Sequence, residues 1–223
     1  TGHRFNTVSG QNFTGYSLFV GGERDGNPLL RGLFEYNTDH PKTLAGMVHL
    51  VGHEVMPGHY FNSAVADLLW RQNRLGLEIT MATIGTSSTA FQEGWAENSL
   101  FLLYSGMEGI KERFGASIEI ALLNAQLESV AKHNAGILYQ VHKWNEEQVG
   151  KYIAEQCVQG DAIVKKILGW CKDPVYGPMQ GPAYILGTDL VRVAHEKVGA
   201  KRTIETGLQF HGPMDMSTFT QRV

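Results

Sequence analysis

Several absences narrow what this chain can be. Its 223 residues include only two cysteines, Cys157 and Cys171, too few for the disulfide framework of a small secreted scaffold. They read as two buried thiols and leave the compartment undecided. No long uncharged apolar run is present, so no transmembrane segment is expected. Neither sign of charge dominates, since 19 basic and 22 acidic side chains leave a formal net charge of -3. That balance gives no electrostatic reason to expect nucleic acid or an anionic membrane as partner. Internal repeats, low-complexity tracts and charge blocks are also missing. The chain opens on polar Thr1-Gly2-His3-Arg4 without an initiator Met, so no signal peptide is expected within it and it reads as a processed product or a piece of a longer protein.

What is there is an ordinary globular composition, 43% apolar and 18% charged, in a length suited to one domain over residues 1–223. The first forty residues are rich in Gly, Asn and Thr. Tyr16 to Val20 and Leu33 to Tyr36 are their strand candidates, with turns at Gly21-Gly22, Asp25-Gly26 and Asn27-Pro28. Helical patterning takes over from there. Asp39-His40-Pro41 reads as a helix start, followed by Leu44, Met47, Val48, Val51 and Val55 in one apolar stripe. His49 and His53 fall on the opposite face of that helix. Met56-Pro57-Gly58 predicts a break, and a second helix runs from about His59 to Asn73.

Leu75 to Ser88 reads as a short segment and a loop. Helices are then predicted over Ala90–Tyr104 and over Ser117 to about His142, with a weak point at Asn134-Ala135-Gly136. A capping box at Asn145 and Gln148 starts a further helix, which runs to about Val158. Asp161 caps another, ending near Lys172. Asp173 to Pro178 reads as a linker, Gln180 to Val198 as helix, and the tail as a Gly212-Pro213 turn with one short helix. The class is mainly α with a small N-terminal β element.

Nine histidines are somewhat many, and three of them, His49, His53 and His59, cluster. Any one histidine on a helix is ordinarily a surface or core residue. Here, though, His53-Glu54-Val55-Met56-Pro57-Gly58-His59 places two imidazoles and a carboxylate within seven residues, and Glu93 and Glu97 follow on a later helix. That is the donor inventory of a catalytic zinc site, with two His ligands, an acidic third ligand and a carboxylate beside the metal. The common zinc-protease spacing is H-E-x-x-H, whereas here the second His comes at i+6. In a straight helix that spacing separates the two by about 9 Å of rise and about 120° of rotation, too far to share an ion. Either the chain breaks at Pro57 and brings His59 back, or the pair is His49 and His53, at i and i+4. Glu93 and Glu97, also four apart, face the same way. Either could be the ligand, leaving the other to orient a histidine N–H. Glu54 is placed to act as general base. Trp95 reads as core.

The heptapeptide H-E-V-M-P-G-H resembles the hallmark of a bacterial metallopeptidase-like family, domain-of-unknown-function 885, in the gluzincin group. Glu93-Gly94-Trp95-Ala96 resembles its E-G-W-A. Asn134-Ala135-Gly136 with His142 and Trp144 is loosely similar to its D-x-G-x-H-x-x-x-W region, with Asn134 in place of the acid. Pro178-Met179-Gln180, then Tyr184-Ile185-Leu186-Gly187 and Arg192, resembles P-G-Q-A-x-x-Y-x-x-G with a following Arg. Asn37 matches an Asn upstream of the first helix. Gly181 and Pro182 depart from the pattern, and Ile204-Glu205 stands where the family commonly has Phe-His, with His211 in a later turn. The resemblance implies a zincin-like (gluzincin) helical metallopeptidase domain, the C-terminal catalytic portion of a longer protein. It implies Zn2+ on His53, His59 and Glu93, Glu54 as base, Tyr184 as oxyanion donor and Arg192 as a substrate-anion contact. The expected partner is a peptide or small amide substrate. Another metal-dependent amide or ester hydrolase, or a helical binding module without metal, would be the rivals.

Overall fold

A computed structural model describes residues 2–11, 13–77, 87–174, 176–208 and 216–223. The chain is mainly helical with a small β element at its start. Five strands come first among the described residues: β1 (His3–Val8), β2 (Gly15–Phe19), β3 (Glu23–Arg24), β4 (Asn27–Pro28) and β5 (Gly32–Asn37). β5 is central, parallel to β1 and antiparallel to β2. The strands expected around Tyr16 and Leu33 are β2 and β5. β1 escapes sequence reading because its four middle residues are all exposed, leaving no apolar alternation to detect. Asn27-Pro28, expected as a turn, is instead a strand of two residues. The turn is Asp25-Gly26, with φ of 53° and 75°, the left-handed pair that a tight hairpin demands.

Asn37, fully buried at the end of β5, donates to the carbonyls of Gln11 (2.8 Å) and Phe13 (2.9 Å) and accepts the Asp39 N–H (3.0 Å). It holds the loop before β2 and the entry to the first helix in one piece. Asp39 is thereby drawn away from capping, and its carboxylate takes the Gly10 N–H. The first helix, α1 (Leu44–Glu54), consequently starts later than Asp39-His40-Pro41 suggests. Its cap is Thr43, whose hydroxyl accepts the Gly46 N–H at 3.1 Å.

The other helices are α2 (His59–Arg71), α3 (Ser87–Glu97), α4 (Ser99–Tyr104), α5 (Met107–Phe114), α6 (Ser117–Gln140), α7 (Glu146–Lys151), α8 (Asp161–Lys172), α9 (Tyr176–Leu208) and α10 (Met216–Arg222). The single helix expected over Ala90–Tyr104 is interrupted at Asn98, whose side-chain amide donates to the carbonyls of Gly94 (2.8 Å) and of Thr188 on α9 (2.9 Å). α5 is a short helix with one fully buried anchor, Ile110, too brief to show a period. α6 runs unbroken through Asn134-Ala135-Gly136. Asn134 donates to the Tyr152 hydroxyl at 2.8 Å, and Gly136 lets the Gly177 carbonyl approach. The capping box at Asn145 and Gln148 is formed, and α7 passes into a π-helical turn over Tyr152–Gln156. Asp161 lies in the first turn of α8, with Gly160 at the cap, and makes no side-chain cap. The linker expected to Pro178 ends earlier, because α9 begins at Tyr176. α9 kinks at Gly199 (φ 78°), next to its expected end. Most of Leu75–Ser88 and the Gly212-Pro213 turn lie outside the described residues.

Among the described residues, the core has three centres. Phe91, Trp95, Leu102, Val191, Ala194 and Phe219 join α3, α4, α9 and α10. A second cluster, under α6 to α8, includes both cysteines as free, buried thiols. The third packs Ala45 and Val48 of α1 against Leu100, Ile110, Ile118 and Leu122. α3 and α9 cross closely because Gly94 and Gly187 face each other: a Cβ on either would strike the partner helix's backbone. No helix among the described residues is long and apolar enough to cross a membrane.

Candidate metal centre

The centre is built on the break between α1 and α2. α1 ends at Glu54, Val55 caps it by donating to the Val51 carbonyl (2.9 Å), and α2 restarts at His59. The intervening Met56–Pro57 bond is cis. Gly58 packs so tightly on the end of α1 that a Cβ would run into the His53 carbonyl. The turn is pinned from α3, where the Trp95 indole N–H donates to the Pro57 carbonyl at 2.9 Å. Trp95 is core, as expected, but it also holds the turn. The return brings the His53 and His59 rings to 4.8 Å between centroids, at 85° to each other.

α1 presents His49 and His53 on the face opposite its apolar stripe, and that face is itself largely buried. His53 is 7% exposed while Leu44, at the head of that stripe, is 84% exposed. The opposite face is covered by α3, which carries Glu93 and Glu97. Glu93 Oε2 lies 3.5 Å from His53 Nε2 and 3.4 Å from His59 Nε2. Glu97 stands on the other side of the same imidazole, with Oε1 3.4 Å from His53 Nδ1 and Oε2 3.3 Å from His49 Nε2. Two donor groups result, His53–His59–Glu93 and His49–His53–Glu97, each with its ligand atoms within 4.8 Å of one another.

The atoms distinguish the two groups. Bonds of 2.0–2.1 Å in a tetrahedral zinc site put neighbouring ligand atoms about 3.3 Å apart. A single oxygen of Glu93 faces both Nε2 atoms at close to that spacing. Glu97 instead gives a separate oxygen to each histidine, the arrangement of a carboxylate that orients two N–H groups. A neutral imidazole has one N–H and one lone pair, so His53 can turn its lone pair to one side only.

The electrostatics of the cluster fit the same division. Burial works to lower His53, but Glu93, Glu97 and Glu54 outweigh it and raise it to about 9. Burial works to raise Glu93, but His59 and His53 hold it well below the usual carboxylate range. Glu97 is likewise lowered against its burial, by His49 and His53. Glu93 Oε2 and His53 Nδ1 are nevertheless buried without a hydrogen-bond partner, since the close approaches are too long or misaligned. A buried carboxylate oxygen left orphaned between two imidazoles fits a cation as its missing partner. Zinc suits this set of two nitrogens and one carboxylate oxygen.

Glu54 and Tyr184 complete the surroundings. Burial raises the Glu54 carboxyl above its usual value, with His53 and His59 pulling the other way. Tyr184, from α9, stacks on His53 with the rings 9° from parallel and 6.3 Å apart. Burial, then Glu93, Glu97 and Glu54, push its pKa well up, so the phenol keeps its proton as a hydrogen-bond donor. The Arg192 guanidinium lies over the Phe101 ring (5.0 Å) and against the Gln126 side chain, with its Nε buried and unpartnered. His142 is exposed, and His211 lies outside the described residues. Sequence reading did not find Lys132 of α6, whose ammonium lies 4.9 Å from the Tyr184 ring centroid. No motif marks it, because the packing of α6 beside α9 creates its position.

No protein-family model matches this sequence, and no curated protein matches it. Among solved structures, that of a candidate lipoprotein from Colwellia psychrerythraea is similar over 99% of this chain, with a TM-score of 0.68 and 19% identity. At that identity the likeness is one of fold. This chain spans 37% of the length of that one.

Proposed function

We propose that this chain is a zinc-dependent peptidase domain of zincin-like type, as the resemblance to the domain-of-unknown-function 885 family implies. His53, His59 and Glu93 hold the ion. The observation that carries this reading is the convergence of both Nε2 atoms on one buried, otherwise unpartnered Glu93 oxygen, at 3.5 and 3.4 Å. When bound, zinc supplies a Lewis acid and lowers the pKa of a coordinated water toward about 7.

The remaining work falls to this chain's own groups. Glu97 Oε1, 3.4 Å from His53 Nδ1, is the acceptor toward which the Nδ1–H turns, which leaves Nε2 as the free lone pair, while His49 faces the other Glu97 oxygen. Glu54, directly after a ligand and with a raised carboxyl pKa, accepts the proton of the attacking water and returns it to the leaving nitrogen. The Tyr184 phenol donates to the carbonyl oxygen as it gains negative charge.

Zinc content and one variant test this. The purified protein should hold one zinc per chain, and Glu54→Gln should keep the metal while losing peptide turnover by about 10²- to 10⁴-fold. Protein with His53 and His59 intact that takes up no zinc would sink the reading. Activity surviving in Glu54→Gln would remove Glu54 as base.

A further inference from the structure

Beside the candidate metal centre stands a cation with no ion-pair partner among the described residues. Lys132 projects from α6, with its ammonium 4.4 Å from the centroid of Trp170 on α8 and 4.9 Å from that of Tyr184 on α9. Tyr184 is the ring that stacks on His53. Among the described residues, no carboxylate comes within ion-pair distance of Lys132. Glu128, one turn earlier on α6, is held by Lys166 at 2.8 Å. Burial, then the neighbouring Lys166, lower the Lys132 pKa and outweigh Glu128, Glu97 and Glu93, all of which act on it from beyond ion-pair distance.

An ammonium partly withdrawn from water needs replacement partners for its three N–H donors. Two aromatic faces attract the charge but accept no strong hydrogen bond. The chain therefore supplies a positive site with donors to spare, next to the phenol that faces the reacting carbonyl in the proposed reaction. Arg192, the cation implied by resemblance for contact with a substrate anion, packs on Phe101, so Lys132 is a second candidate.

We propose that Lys132 forms a carboxylate-binding subsite that receives an anionic group of the substrate next to the bond to be cleaved. The substrate class is thus a peptide with a carboxylate at that place, either its free terminus or an acidic side chain. Calling the ligand a substrate rests on the peptidase reading; the binding itself does not.

Isothermal titration of the zinc-loaded protein with three small probes tests the subsite. Acetyl-alanine carries a terminal carboxylate, acetyl-aspartic acid α-amide a side-chain carboxylate, and acetyl-alaninamide none. One carboxylate probe should bind at least about tenfold more tightly than the neutral amide, and which one does so identifies the source of the anion. Lys132→Met should abolish that preference and Lys132→Arg should retain it. Equal binding of acids and amide by the wild-type protein overturns the proposal without reference to any variant. A preference that persists in Lys132→Met also overturns it, because the carboxylate is then held by the metal. If the protein shows the Lys132-dependent preference but cleaves no peptide, the subsite stands and the peptidase reading fails.

Discussion

The Trp95 indole and the Pro57 carbonyl are joined by a 2.9 Å hydrogen bond that spans 38 positions of sequence. Through it, the helix that carries Glu93 fixes the turn that returns His59. Trp95→Phe should cost about 1–3 kcal/mol in urea unfolding, as a partly buried carbonyl loses its partner. It should also weaken zinc binding measured by chelator competition. Lost stability with unchanged zinc affinity would reduce the bond to a packing contact.

His49 and Glu97 should behave as positioning residues. Glu97→Gln and His49→Ala should each weaken zinc binding by about 10- to 100-fold. His59→Ala should be far more damaging, because it removes a ligand atom. The reverse order, with His59→Ala tolerated, would move the ion to the His49–His53–Glu97 group.

Stability of the metal-free protein should depend on His53. Its folded pKa of about 9 lies above the ordinary 6.5, so its contribution is fully present below pH 6.5 and is lost as pH rises through about 9. Glu93, with its pKa lowered from 4.5, contributes above pH 4.5 and loses that contribution as pH falls below it. Zinc requires His53 without its Nε2 proton, so the thermal shift produced by saturating zinc should grow between pH 6.5 and 9. A zinc shift that is flat across that window would show that His53 is not the group being deprotonated.

How far the sequence could be read depended on whether local geometry or distant packing decided each feature. The break at Pro57 was legible because His53 and His59 cannot share an ion from one straight helix. The choice between Glu93 and Glu97 was not, since both lie on one face of α3 and only the oxygen-by-oxygen approach to His53 separates them. The covered histidine face of α1 was hidden for a similar reason. An apolar stripe marks one buried side, but α3 buries the other through polar side chains. Asp39 looked like a cap until Asn37 and Gly10 engaged it. Lys132 had no local signature at all.

The central claim is that one ion sits among His53, His59 and Glu93, and an anomalous difference map at the zinc edge, from crystals grown with zinc, tests it most directly. A single peak about 2.0–2.2 Å from His53 Nε2, His59 Nε2 and a Glu93 oxygen is the expected result. A peak between His49, His53 Nδ1 and Glu97, or no peak at either group, would contradict it.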